Sequence, residues 1–362
     1  MSTAGSAPLP APPALARRPR SVRARVWRER VILGLLIACG LFTVLTTVSI
    51  VGVLAKETFN FFAHQMSDIQ GQSVTVSLAD FFGDLHWSPI AEGNRHFGIW
   101  PLIVGTAQVT VVAMTFALPL GLITAIWLSE YATPRLRSVV KPVLEIIAGV
   151  PTVVFGFFAL TVITPFLRFD FLQVPAVNPA TGDAILNAAG EAILVPWNPF
   201  NVGIYNALAA GLAVGIMTLP IVTSLSEDAL RAVPRALREG AYGLGSSRFE
   251  VATKVVVPSA LSGIIAAFLL AIARTVGETM IVAMAAGSLP PALDRNLGEA
   301  LQVNTDTQTM TGYMVQIFLG DIEHGGVEYL SCYTVAFTLF IITLGLTILG
   351  NVIRKRFQQQ YD

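Results

Sequence analysis

Arg274 and Glu278 are the two formal charges in LLAIARTVGETMIVAM, residues 269–284, a run otherwise apolar or small. A charge at the centre of a membrane-crossing helix costs about 2.5–3.5 kcal/mol to insert, so such residues face a bundle interior or a water-filled path. Four residues apart, the two share one helical face and are able to pair. A guanidinium is permanently charged and presents a fork of donors matched to the oxygens of a small oxyanion. In such a site Glu278 holds Arg274 in place and keeps the anion from binding too tightly to leave. Two other chemistries compete: a bridge that only fixes helix register, and a proton relay in an ion-coupled carrier. Thr279, Thr218 and Thr223 add hydroxyl donors, although intrahelical bonding is their ordinary use.

Other reactive residue types are sparse. The four lysines, Lys56, Lys141, Lys254 and Lys355, never close a GxxxxGK[ST] loop, so no phosphate-cradling P-loop is encoded and any ATPase is a separate chain. His64, His86, His96 and His324 lack HExxH spacing, which favours loop packing over a metal site. Cys39 and Cys332 have neither ligand spacing nor a disulfide framework. Glu145 lies one helical turn from Lys141, and the two are expected to pair at a membrane interface. A formal net charge of zero gives no electrostatic case for nucleic acid.

The elements that must position these residues are membrane spans. The chain has 362 residues, 54% apolar and 13% charged, a balance typical of a polytopic, all-α membrane protein. Spanning takes roughly 20 apolar residues in a helix that satisfies its own backbone. Six stretches qualify, near 31–54, 101–128, 139–167, 203–225, 259–287 and 331–353. Residues 1–16, rich in Pro, Ala and Ser, read as a disordered tail, and the first stretch as a retained span without a cleavage site. With the N-terminus inside, 18 of the 23 Lys and Arg residues fall on the cytoplasmic side, Lys56, Arg95, Arg168 and Arg295 fall outside, and Arg274 stays within a span. Both termini are therefore expected to be cytoplasmic. Pro119, Pro151 and Pro220 lie within spans as candidate bends.

One cytoplasmic loop, 225–263, has internal order. Pro234 suits a helix start, Arg235 and Glu239 share a face, Gly245 suits a helix end, and Ser247 with Glu250 makes a capping box. Leu237, Ala241 and Leu244 form an apolar stripe suited to a partner's groove.

Glu239-Gly240-Ala241, Gly245 after three residues, and Val255-Val256-Val257-Pro258 after nine more resemble the EAA motif of ABC importer permeases, with Gly240 in place of the usual alanine. FFGDLHWSPIAEGNRHFGIWPLIVGT (81–106), GVPTVVFGFFALTVITPFLR (149–168) and ARTVGETMIVAMAAG (273–287) look like PstC-type permeases of the phosphate-specific ABC importer. Phe81, Trp87, Pro89, Phe97 and Glu278-Thr279-Met280 favour that subtype over the sister PstA type. A PstA-type subunit, or a permease for another oxyanion such as sulfate or molybdate, is the alternative within the family.

The resemblance implies a six-span type I importer permease fold in a bacterial inner membrane. It implies a path lined by Arg274, Glu278 and Thr279, and an ATPase-coupling helix built on Glu239, Gly240, Ala241, Gly245 and Pro258. It further implies a basic tail at 1–30, a first span and outer loop at 31–99, a core at 100–353 with the coupling loop at 226–258, and a C-terminal tail at 354–362. The implied partners are a PstA-like second permease, a PstB-like ATPase dimer that uses ATP and Mg²⁺, and a PstS-like extracytoplasmic binding protein. No catalytic residue, metal or cofactor is expected in this chain.

Overall fold

The computed structural model describes residues 22–63, 66–67, 73–90, 95–176, 192–196, 198–294, 297–320 and 326–356. The tail up to residue 21, His64, Arg295, His324 and the residues from 357 onward lie outside that set. Packing divides the chain into two units, Met1–Val53 and Leu54–Asp362.

The first unit contributes most of helix α1, Val22–Ala63, whose 42 residues run for about 63 Å. Its leucines, isoleucines and phenylalanines between Val31 and Val53 are exposed. They suit a lipid environment, where apolar side chains need no protein cover.

In the second unit, α2 (Leu78–Gly83) precedes α3 (Trp100–Ile126), which continues through a π-turn at Trp127–Tyr131. Helix α4 (Pro134–Ala148) leads to α5 (Thr152–Phe158), which passes through a second π-turn into α6 (Thr164–Leu167). Helix α7 (Ala207–Ala232) is followed by α8 (Arg235–Gly243), α9 (Arg248–Glu250), a π-turn at Val251–Val256, α10 (Val257–Ser259) and α11 (Leu261–Val276). Short helices α12 (Met280–Ala285), α13 (Leu297–Ala300) and α14 (Met310–Leu319) come before α15 (Val327–Arg356). Among the described residues the strands form three two-stranded antiparallel ribbons: β1 (Met66–Ser67) with β2 (Ser73–Val74), β3 (Trp87–Ser88) with β4 (His96–Phe97), and β5 (Gln173–Pro175) with β6 (Leu194–Pro196).

Among the described residues, four helices are long and apolar enough to cross a membrane, and six spans result if two bent pairs each count as one. The straight span expected at 139–167 is instead α4 and α5–α6, turned by 86°. Gly149 ends α4, and Pro151 drives the residue before it out of helical geometry. A second bend, of 71°, separates α10 from α11.

Helices α3 and α7 form the central pair. A Cβ at Gly211 on α7 would lie 2.6 Å from the side chain of Val112 on α3, so only glycine permits this approach. Buried Val109, Ala113, Ala117, Ala210, Ala213, Val214 and Met217 fill the seam. At one end of the pair a second core joins Phe61, Phe81, Trp87, Phe97, Met310 and Tyr313. The Trp87 and Tyr313 rings meet edge to face at 4.9 Å. At the other end, which carries Arg137, Arg231 and Arg238, a third core joins Ala125, Leu230, Val251, Val256 and Ile264.

Candidate functional site

The run that holds Arg274 and Glu278 is not one helix. Helix α11 stops at Val276, Gly277 caps it, and α12 begins at Met280 after Thr279. The break removes the shared i, i+4 face, and the two charges form no ion pair. Arg274 is exposed in the last turn of α11, while Glu278 is 7% exposed just ahead of α12. Each charge therefore has a helix end of favourable sign, worth about 0.3–1 kcal/mol, without needing the other. The Glu278 carbonyl accepts a hydrogen bond from the Thr311 hydroxyl at 2.7 Å, which ties the break to α14. Thr279 donates back to Gly277 at 3.2 Å. Thr275, unremarked in the sequence, is 3% exposed and its hydroxyl has no partner. Thr218 donates to Val214 and Gly215 on its own helix, the ordinary use of such a hydroxyl.

None of the described residues covers Arg274 at the helix break. In lipid that exposure is costly, so the geometry calls for water, an anion or a second chain over it. Behind the break, residues 300–309 are laced to the central pair. Gln108 donates to the Ala300 carbonyl at 2.7 Å and accepts from Thr307 at 2.9 Å, Leu208 N–H reaches Val303 at 2.7 Å, and Asn206 caps α7 through Ala209 N–H at 2.6 Å. Burial pushes the Asp306 carboxyl above its usual value there, against the pull of the Leu289 and Ser288 amides.

At the basic end the 225–263 segment is more tightly organised than its sequence indicates. Pro234 precedes α8, and Gly245 adopts φ +86°. Its N–H donates to Tyr242 and that of Ser246 to Ala241, the two bonds of a Schellman termination. Ser247 and Glu250 form the expected capping box, and with Lys254 close by, the exposed Glu250 carboxyl is held at about 2. Glu239, Gly240 and Leu244 face outward, and Arg235 makes no ion pair with Glu239. Ala241 turns the other way and packs on the third core, so the apolar stripe is divided between bundle and exterior. Pro258 lies in α10 at the start of the bend.

Arg238 is the anchor that the sequence does not reveal. It pairs with Glu130 at the end of α3 at 3.2 Å and donates to the carbonyls of Leu230 and Val233 at 2.7 and 3.1 Å. Glu227 is a second. It is fully buried on α7, paired with Arg137 and, at 3.1 Å, with Lys141 of α4. Lys141 also binds Asp228 at 2.5 Å, so the expected Lys141–Glu145 pair is replaced by tertiary partners. The sequence offered only a hint, two cations one turn apart on α4 and two adjacent acids before Arg231.

Residues 117–361 match the family described as "Binding-protein-dependent transport system inner membrane component". The chain belongs to that family. As a binding-protein-dependent permease it is a translocation subunit and not itself a hydrolase; a second permease, a separate ATPase and a substrate-binding protein complete such importers. The chain is 29% identical to the probable ABC transporter permease YqgH of Bacillus subtilis over 281 residues, 78% of this chain and 79% of that one. It is 27% identical to the phosphate transport system permease PstC of Xylella fastidiosa, covering 80% and 82%, and 32% identical to PstC 1 of Mycobacterium tuberculosis, covering 62% and 68%. Among solved structures, a chain of a bacterial alginate ABC transporter superposes with a TM-score of 0.58 at 11% identity, over 94% of this chain and 99% of that one. That likeness supports the importer permease fold alone.

Proposed function

We propose that this permease is the PstC-type subunit of an ATP-driven importer of inorganic phosphate, with Arg274, Glu278 and Thr279 in the translocation path. The carrying observation is Arg274, exposed at the break between α11 and α12 and free of any acidic partner, in a chain similar to phosphate permeases. An unpaired guanidinium supplies the counter-charge and donor fork for an oxyanion. Buried Glu278 in the same break opposes tight retention and favours release. The uncovered side of Arg274 is completed by a PstA-like second permease.

The basic end faces the cytoplasm of a bacterial inner membrane, with both termini inside, in keeping with the positive-inside rule. There α8 docks a PstB-like ATPase dimer through Glu239, Gly240, Tyr242 and Leu244, while Ala241 packs it on the bundle and Gly245 and Pro258 shape the loop that follows it. ATP and Mg²⁺ are used by that partner, and a PstS-like protein delivers phosphate to the opposite end. ATPase closure displaces α8. Because Arg238 ties α8 to Glu130 in the π-turn that continues α3 and to a carbonyl at the end of α7, the displacement reaches both central helices. Those helices hold residues 300–309 at their far ends.

The test is uptake of radiolabelled phosphate into proteoliposomes containing the full complex, with and without ATP. Arg274→Gln, which keeps volume and some donors but removes the charge, is expected to lower ATP-dependent uptake at least tenfold with the subunit still present. Wild-type uptake in Arg274→Gln removes Arg274 from the path; uptake that persists without ATP favours an ion-coupled carrier.

A further inference from the structure

The ribbon β3–β4 pairs Trp87 with Phe97 and Ser88 with His96, and Gly98 N–H continues the register onto the His86 carbonyl at 2.8 Å. Side chains alternate across such a ribbon, so Trp87 and Phe97 enter the core while His86 and His96 share the other face as diagonal neighbours. Their rings lie 5.1 Å apart. Asp84, at the end of α2, is laid over the same face; a Cβ on Gly98 would overlap its carbonyl, so glycine keeps this approach open. One Asp84 oxygen is 3.3 Å from His86 Nδ1 and the other is 2.6 Å from His96 Nδ1. Beyond His86, its Nε2 meets Asp294 at 3.0 Å.

His86 thus has a carboxylate at each ring nitrogen. The His86 backbone N–H donates to the same Asp84 oxygen at 2.9 Å, which holds that carboxylate beside the ring independently of the ring itself. Three convergent donors with a further carboxylate behind one histidine have the layout of a three-ligand metal centre, in which that carboxylate orients the ligating ring. One donor atom each from Asp84, His86 and His96 lies within 4.8 Å of the others. The 3.3 Å separation of Asp84 from His86 is close to the tetrahedral edge of about 3.4 Å that zinc–ligand bonds of about 2.1 Å require, whereas the 2.6 Å Asp84–His96 contact is of hydrogen-bond length and must lengthen when a metal enters.

We infer that Asp84, His86 and His96 form a binding site for a divalent transition-metal cation of the Zn²⁺ class, with Asp294 orienting His86. Imidazole with carboxylate selects that class over Mg²⁺ or Ca²⁺, which prefer all-oxygen shells. A bound ion would clamp α2 and the β3–β4 ribbon, and through Asp294 it would tie them to the segment that follows α12. The inference does not depend on which solute is transported.

The experiment is a Zn²⁺ titration of the full-length chain in detergent, stripped with a chelator and followed by competition with a chromophoric indicator. One Zn²⁺ per chain is expected. His96→Ala should abolish binding. Asp294→Asn, a change at an exposed residue outside the ligand set, should weaken binding by about 10–100-fold with the stoichiometry kept. Co²⁺ loading should produce ligand-field absorption that disappears in His96→Ala and persists in a His64→Ala/His324→Ala control. No stoichiometric Zn²⁺ in the wild type, or equal binding in His96→Ala and Asp294→Asn, would overturn the assignment and leave a histidine–carboxylate hydrogen-bond cluster.

Discussion

Replacing Glu227 by alanine tests whether the basic end is held by the buried charge cluster. The carboxylate is completely buried, whereas its partners Arg137 and Lys141 keep 16% and 27% of their side-chain exposure. Removing one member of a buried ion pair costs about 3–5 kcal/mol, because the remaining charge stays desolvated. Here the lower figure applies. Lys141 keeps Asp228 at 2.5 Å, and residual water around both cations screens what is left. A loss of about 3 kcal/mol shifts the folding equilibrium by about two decades. Glu227→Gln should lose less, since its amide oxygen still accepts from Lys141. Reversible unfolding of the purified chain in mixed micelles with rising SDS, followed by circular dichroism, measures the change. In a double-mutant cycle, Arg137→Ala should cost much less in the Glu227→Ala background than in the wild type. A Glu227→Ala loss below about 1 kcal/mol, or strict additivity in the cycle, would refute a clamp between α4 and α7.

At the Schellman turn, Gly245→Ala places a Cβ at φ +86°, at a cost of about 1–2 kcal/mol, and should reduce the ATPase recovered by co-purification while the spans remain inserted. Arg238→Gln loses the Glu130 pair but leaves the outer face of α8 intact; ATPase should still co-purify, with fewer phosphate molecules moved per ATP hydrolysed. Leu244 is 89% exposed at the basic end and Leu85 is exposed at the opposite end. In a background with Cys39 and Cys332 replaced by serine, Leu85→Cys should react with an impermeant maleimide on intact spheroplasts and Leu244→Cys should not; the reverse pattern inverts the topology.

Much of this architecture was legible from sequence because lipid imposes a simple rule. Apolar runs long enough to span must be helical, and the Ser247–Glu250 spacing and Gly245 report local backbone requirements that depend on few neighbours. Family membership could be read for a related reason: the EAA spacing and the Arg274–Glu278 segment are local strings. Tertiary structure decided the rest. Hydropathy is blind to direction, so it read 139–167 as a straight span where Gly149 and Pro151 turn the chain by 86°, and 259–287 as one helix where Gly277 separates Arg274 from Glu278. The partners of a charge are chosen in space. Lys141 turned from Glu145, one turn along its own helix, to Glu227 and Asp228 on another, and Arg238 found Glu130 more than a hundred residues away. His86 and His96 likewise became neighbours of Asp84 only when the ribbon register set them on one face, a relation that pairing of strands creates and that no spacing along the chain encodes.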